Sequence, residues 1–549
     1  MFRGSQSLFH TPVGRGTNFR YDGASAGLLG VFAAELAPVK KQMTDNFYAL
    51  LATRFRTQSA TVALETPGGE HFTYADLDRE TARYARLLGA LGLKRGERVV
   101  VQIEKSPAAL FFYLGCLRAG LIYVPLNTAY RDLELEHFLD DAEPALVVCA
   151  PERLAALRVL TAARDITAVH SLDAAGRGSL YEAARGCDPR AQVEAVGAED
   201  IAVILYTSGT TGRPKGAMIT HGNLASNATT LHQAWGFRDG DVLLHALPIF
   251  HIHGLFVACH TALLNASTML FPPKFDAGSV IAQLPRASVF MGVPTYYTRL
   301  LAEPAFGREA CRNMRLFTCG SAPLLPQTFH EFEQRTGHTI LERYGMTETG
   351  MNTSNPLDGA RRPGTVGPPL PGVQVRIADS RDNDLPAGET GQLLVKGANV
   401  FKGYWRLPEK STEEFTADGF FRSGDLARMG TDGYVAIVGR AKDLIISGGF
   451  NIYPKEIEGY LDNLDGVLES AVIGAPHPDF GETVIAVIVR KPEGATLTEA
   501  GVIATLKSQI AGFKVPKRAL FTDILPRNAM GKVQKNQLRE QYAKLFAKS

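Results

Sequence analysis

The sequence predicts an α/β fold in three parts: a large N-terminal domain of βαβ units with parallel-type sheets, a β-rich subdomain at its end, and a small α+β C-terminal domain. Three observations predict it. From Thr73 onward, short β-branched runs alternate with helix-period segments, as expected of strands joined by covering helices. Between about residues 364 and 438 Gly and Pro become frequent, and the alternating runs VQVRIA, GQLLVKG and GYVAIVG read as antiparallel strands. After Arg440 the pattern changes to apolar strands (AVIGA, TVIAVIV) and a helix at 498–510. A chain of 549 residues also exceeds one ordinary core.

Residues 1–42 carry Arg3, Arg15 and Arg20, no acid before Asp22 and little periodicity. A disordered extension is expected there, with a transit peptide as the alternative. Met43 opens a helix-like segment, MTDNFYALLATRF. Thr73 is placed to cap a helix whose apolar face is Leu77, Tyr84, Leu88 and Leu91. A buried strand at 98–103, a helix at 108–118, a strand at 121–125, a helix at 133–140 and a strand at 145–149 follow. A further strand, 201–205, runs into a Gly-rich loop, and Pro294 opens a helix. The boundary is set at 439–442, which makes domains of residues 43–439 and 440–549.

Net charge is +2, from 58 basic and 56 acidic residues spread along the chain, so neither a nucleic-acid nor a membrane surface is expected. The apolar run at 108–126 is interrupted by Gly115, Arg118, Gly120 and Pro125 and reads as a buried helix followed by a strand, so no membrane span is expected. Cys116, Cys149, Cys187, Cys259, Cys311 and Cys319 lack paired spacing and read as buried free thiols in a reducing compartment.

The loop YTSGTTGRPKG, residues 206–216, stands beyond the carboxyl end of its strand, where ligands of such sheets gather. Thr207, Ser208, Thr210 and Thr211 offer hydroxyls, Gly209, Gly212 and Gly216 allow close backbone approach, and Lys215 is a point charge. That set suits nucleotide phosphates. A Walker A loop needs Ser or Thr directly after the lysine, and Gly216 stands there instead. The loop therefore fits pyrophosphate held as a leaving group better than γ-phosphate transfer.

CGSAPL (319–324), RYGMTE (343–348), FRSGDL (421–426), GRAKDLIISGGFNIYPKEIE (439–458) and RNAMGKVQK (527–535) follow in that order. With the loop, they resemble the ordered motif set of the adenylate-forming superfamily, which includes acyl-CoA synthetases, luciferases and peptide-synthetase adenylation domains. The resemblance implies ATP contacts at Ser321, Ala322, Pro323, Arg343, Tyr344, Gly345, Met346 and Thr347, besides the loop residues. Tyr344 offers a flat face for adenine and Thr347 a hydroxyl for the α-phosphate, while Glu348 offers a carboxylate for Mg²⁺, a hard cation that prefers oxygen. Asp425 resembles the ribose-binding aspartate and Arg440 its neighbour. Lys532 resembles the late catalytic lysine, whose ammonium bridges carboxylate and phosphate in the adenylation step. Asn528 stands where threonine is frequent, a departure expected to weaken the cap of that loop. The resemblance further implies a mobile C-terminal domain with its hinge at Lys442, and a CoA tunnel beside Gly448 and Gly449.

The stretches at 246–280 and 291–301 resemble the malonyl-CoA synthetase branch. A dicarboxylate brings a second charge that must be paired when desolvated. Arg299 is the expected partner, His251 the second candidate and Ser321 a hydrogen-bond donor, with His253 structural. Periodicity by itself places Arg299 on the flank of its helix. The expected function is ATP-dependent malonate:CoA ligation in the cytoplasm, or in the mitochondrial matrix if the first 42 residues are a transit peptide. Partners are ATP, malonate and CoA, in a monomer or homodimer. The alternatives are a short- or medium-chain or aromatic acyl-CoA ligase and a carrier-protein-charging adenylation enzyme.

Overall fold

The computed structural model describes residues 44–207, 214–448, 450–528 and 531–546. The expectations for residues 1–42, Ser208, Gly209, Thr210, Thr211 and Gly449 fall outside them. The fold is α/β as predicted, built on four sheets.

A six-stranded sheet runs in the order Val169–Ser171, Leu146–Cys149, Arg98–Gln102, Ile122–Pro125, Ile201–Thr207, Lys215–Thr220. Its neighbours are parallel except the last pair, an antiparallel hairpin in which Thr207 faces Lys215. Crossover helices such as Pro107–Arg118, buried along nearly its whole length, cover the faces. The expected helix start at Thr73 is present as a reciprocal capping box with Asp76, and Leu77, Tyr84 and Leu88 are buried behind it. Leu91, counted with that face, is instead the C-cap and is exposed, because the chain turns away there.

The second sheet has eight strands: Gly350–Ser354, Ile340–Met346, Leu316–Cys319, Val289–Gly292, Val242–Leu244, Thr268–Leu270, Val62–Glu65 and His71–Thr73. Its interior is parallel and its two edges are antiparallel hairpins. The strand Val62–Glu65 was not expected; it pairs with Thr268–Leu270 across some two hundred residues of sequence. The β-rich part is a four-stranded antiparallel sheet, Val373–Ala378, Gly391–Gly397, Phe421–Met429 and Val435–Arg440. The last sheet pairs Ile445–Ser447, Phe450–Ile452, Val467–His477, Gly481–Arg490 and Arg518–Thr522, covered by the helices Pro454–Asp462 and Glu499–Gln509. Among the described residues no helix is long and apolar enough to cross a membrane. The cysteines are free thiols, all buried except the half-buried Cys187.

Candidate active site

Strand ends from the six- and eight-stranded sheets meet at Glu348, which sits in the turn between Ile340–Met346 and Gly350–Ser354. Its carboxylate accepts from the Thr207 hydroxyl at 3.4 Å and from the Tyr404 hydroxyl at 3.0 Å. It is 6% exposed, and burial raises its pKa above the usual carboxylate range. Lys215 lies 3.9 Å from the centroid of the Tyr404 ring and 3.5 Å from Glu414. The hydroxyl expected at the phosphates thus meets the expected Mg²⁺ carboxylate, while the expected cation reaches it only through Tyr404. Sequence reasoning missed Tyr404 and Glu414; the aromatic pair Tyr404–Trp405 inside a Gly- and Pro-rich stretch was the available signal.

Asp425 and Arg440 are opposite partners on adjacent antiparallel strands, which is why the carboxylate and guanidinium pair at 2.8 Å. The Tyr344 hydroxyl donates to the other oxygen of Asp425. Tyr344 is therefore anchored by its hydroxyl, and its ring orientation is fixed by the same aspartate expected at the ribose.

Lys532 is carried by a tight turn. The Asn528 amide donates to Lys532 O at 2.9 Å, and the Lys532 amide donates to Asn528 Oδ1 at 3.0 Å. Asn528 consequently does cap this turn, contrary to the weakening expected from the missing threonine, since its side-chain carbonyl accepts the same bond. Gly531, at φ 74°, lets the turn approach the helix Pro294–Leu301: a Cβ there would come 3.0 Å from Thr295 Oγ1. Lys532 itself is accessible within the cleft, and burial by the surrounding walls, with the Arg440 cation nearby, lowers its pKa to about 8.

On the acyl side, His253 opens a π-helical stretch, His253–His260, a geometry that recurs at functional sites. Its Nδ1 lies 3.1 Å from the Ser321 hydroxyl, and Ser321 holds a left-handed φ of 71° unusual for a residue with a side chain. Arg343 is 3% exposed, and among the described residues its Nε and Nη2 have no hydrogen-bond partner. Its guanidinium lies against Gly320, where a Cβ would stand only 2.3 Å from Nη1, so a larger residue would displace the guanidinium. Burial lowers Arg343 to about 10, which leaves it charged at neutral pH. His251 is pushed down to about 4 by burial and then by the cations of Arg343 and Lys532. It is neutral and within the field of both.

The structure does not bring every expected residue to this place. Arg299 is exposed on the helix Pro294–Leu301, on the flank that periodicity indicated, with Tyr297, Leu300 and Leu301 buried. Tyr296 is half-buried and stacks on Phe275. Gly448, at φ 56°, is exposed at the tip of its hairpin and close to Phe480 of the same sheet. Lys442 lies in the short turn Ala441–Asp443 joining the last two sheets.

The profile of the AMP-binding enzyme family matches residues 51–405, and that of the AMP-binding enzyme C-terminal domain matches residues 456–532. Feruloyl-CoA synthase of Amycolatopsis sp is 37% identical over 86% of this chain and 95% of its own. Malonate–CoA ligase of Arabidopsis thaliana is 36% identical over 84% of this chain and 80% of its own. Among solved structures, ATP-bound MatB from Rhodopseudomonas palustris matches with a TM-score of 0.90 at 52% identity, covering 92% of this chain and 100% of the other. The apo form of the same protein matches at 0.79. With its motif residues gathered around Glu348, Asp425 and Lys532, the chain belongs to the AMP-binding enzyme family and is an adenylate-forming acyl-CoA ligase.

Proposed function

We propose that the chain is an ATP-dependent malonate:CoA ligase, which forms malonyl-CoA, AMP and pyrophosphate by way of malonyl-adenylate. The observation that carries this reading is Arg343, a buried guanidinium with two unpartnered donors beside neutral histidines and Ser321. An uncompensated buried cation is costly, and a carboxylate entering the pocket would relieve that cost. Malonate brings one carboxylate to be activated and one to be paired; Arg343 takes the second in a forked hydrogen bond. Arg299, exposed beside Tyr296 on the helix Pro294–Leu301, is a second cation.

In the first half-reaction a malonate oxygen attacks the α-phosphorus and the bond to pyrophosphate breaks. Lys532 stabilises the charge that gathers on both sides of that atom, and the Thr347 hydroxyl orients the α-phosphate. Thr207, Lys215 and the loop between them hold the departing pyrophosphate. Tyr344, with Ser321, Ala322 and Pro323, holds adenine, and Asp425 with Arg440 holds the ribose. Glu348 would hold Mg²⁺: a buried carboxylate flanked by two hydroxyls and hydrogen-bonded to no protein cation is a donor set that suits a hard dication. When bound, the ion supplies neutralisation of phosphate charge.

In the second half-reaction the CoA sulfur attacks the acyl carbonyl and AMP leaves with the electron pair. Domains of residues 43–439 and 440–549 rotate about Lys442 between the steps, exchanging the Lys532 turn for the segment of Gly448 and Gly449. The docked Lys532 turn and the better match to ATP-bound than to apo MatB support assigning the present arrangement to the adenylation step.

A second reading has its own observation. The recess beside Thr347 sets the apolar Leu224, Ile252 and Phe256 beside the polar Asn227, His260 and Asn399, and its apolar part would favour an aliphatic or aromatic acid. One experiment separates the two: pyrophosphate release and thioester formation with malonate, octanoate, benzoate and ferulate, with and without CoA. Malonate is expected to give the ATP- and CoA-dependent thioester. If it gives none while octanoate or ferulate does, the second reading stands.

A further inference from the structure

Lys105, whose ammonium is pushed down to about 7 by burial, has no place in the steps above. It follows the strand Arg98–Gln102 of the six-stranded sheet and is 6% exposed, yet no carboxylate among the described residues meets it. Its ammonium donates to His245 O at 2.6 Å and Pro272 O at 2.8 Å, and lies 2.9 Å from His245 Nδ1. The Phe271 ring centroid is 4.1 Å away. Three bonds use all three protons of an ammonium. His245 and Pro272 end two neighbouring strands of the eight-stranded sheet, so one side chain ties the carboxyl ends of both large sheets together.

The bond pattern also selects a tautomer. With Lys105 donating, His245 Nδ1 is an acceptor and the imidazole proton sits on Nε2, which donates to Gly254 O at 2.9 Å. The other titratable neighbour, Cys259, has its sulfur 3.3 Å from Nε2. Burial pushes that thiol up to about 12 and holds His245 far below its ordinary value, so both stay neutral. Gly254 lies in the π-helical stretch headed by His253, and the Leu255 amide bonds back to His251 O at 3.0 Å. The chain of bonds therefore ends on the segment that carries His251 and His253. An apolar side chain of the same length would fill the site without desolvating a charge, so packing alone does not account for a lysine there.

We propose that Lys105 is a positioning residue for the acid substrate: by fixing His245 as the Nε2–H tautomer it holds Gly254, and with it the His251–His253 segment, in the arrangement that receives the carboxylate. This rests on reading that segment as the wall of the acid pocket. The bonds reach nothing at Thr207, Asp425 or Lys532, so the effect falls on the acid and not on ATP.

The test uses the full-length protein as Lys105→Met, Lys105→Arg and His245→Gln, assayed with whichever acid the unaltered enzyme turns over best. A failure of the malonate reading then appears in the unaltered enzyme's acid panel, and a failure of this proposal appears in the variants. Lys105→Met is expected to raise KM for the acid by at least about tenfold, as displaced positioning residues do. KM for ATP should stay within about twofold, the mark of a lost acid-specific contact. Lys105→Arg, which keeps charge and donors, should recover most of the loss. Imidazole ¹⁵N spectra should show His245 protonated at Nε2 in the unaltered protein and as a tautomer mixture in Lys105→Met. Equal rises in both KM values, or an unchanged KM for the acid, would overturn the proposal. If Lys105→Met does not fold, His245→Gln decides on the same two KM values.

Discussion

Replacing Arg343 with methionine tests the acid pocket, because the pocket reading requires opposite signs for stability and activity. In the ligand-free protein Nε and Nη2 of Arg343 are buried without partners. Each such orphaned donor costs about 1–3 kcal/mol. Methionine is of similar length and carries neither donor nor charge, so after some loss of packing the variant should gain about 1–3 kcal/mol. Its ligand-free melting transition should rise by roughly 2–6 °C. With malonate the balance reverses. A carboxylate left unpaired in a desolvated pocket costs about 3–5 kcal/mol. At about 1.4 kcal/mol per decade, that removes roughly two to four decades of kcat/KM. Butyrate, which has no second carboxylate, should lose nothing and gain from the apolar wall. The assay is thermal unfolding without ligand, beside kcat/KM for malonate and butyrate. A less stable protein with unchanged preference for malonate would refute the reasoning and make Arg343 a structural residue.

Lys532→Ala should cut adenylation by about 10²–10³, the usual scale for losing one preorganised charge contact, while thioester formation from supplied malonyl-adenylate persists. Equal loss of both half-reactions would count against domain rotation. Since the ammonium is the active form and its pKa is lowered to about 8, kcat/KM for adenylation should fall as pH rises through about 8. A plateau extending to about pH 10, where an ordinary lysine titrates, would remove Lys532 from that role. Glu348→Gln should raise the Mg²⁺ concentration needed for half-maximal adenylation, measured by pyrophosphate release; an unaltered Mg²⁺ dependence would release Glu348 from the ion. Gly320→Ala places a Cβ 2.3 Å from Arg343 Nη1 and should raise KM for malonate with little change for ATP, which steady-state kinetics can read directly.

Much of this protein was legible along the chain because the signals are local. Thr73 with Asp76 announces a capped helix, Pro294 opens another, and alternating β-branched runs mark the parallel strands, all within a few residues of each other. The ordered motifs placed Thr207, Glu348, Asp425 and Lys532 for the same reason, and folding brings those segments to one cleft. What failed to show were the consequences of distance. Val62–Glu65 is too short to stand out, and its partner is a strand far along the chain. Asn528 looked like a weakened cap until its carbonyl was seen to accept the Lys532 amide.

The sequence by itself determined the α/β class and the residue types proposed for the nucleotide side, since these follow from periodicity and from residues at short spacing. Only the tertiary structure decided which charges are left without partners. Arg299 and Arg343 are both arginines in motif-rich segments, yet one is exposed and the other is buried against Gly320 with unpaired donors. Lys105 looks like any surface lysine until two sheets close over it. Burial is a sum over residues distant in the chain, and the cost of an unpartnered charge depends on that sum.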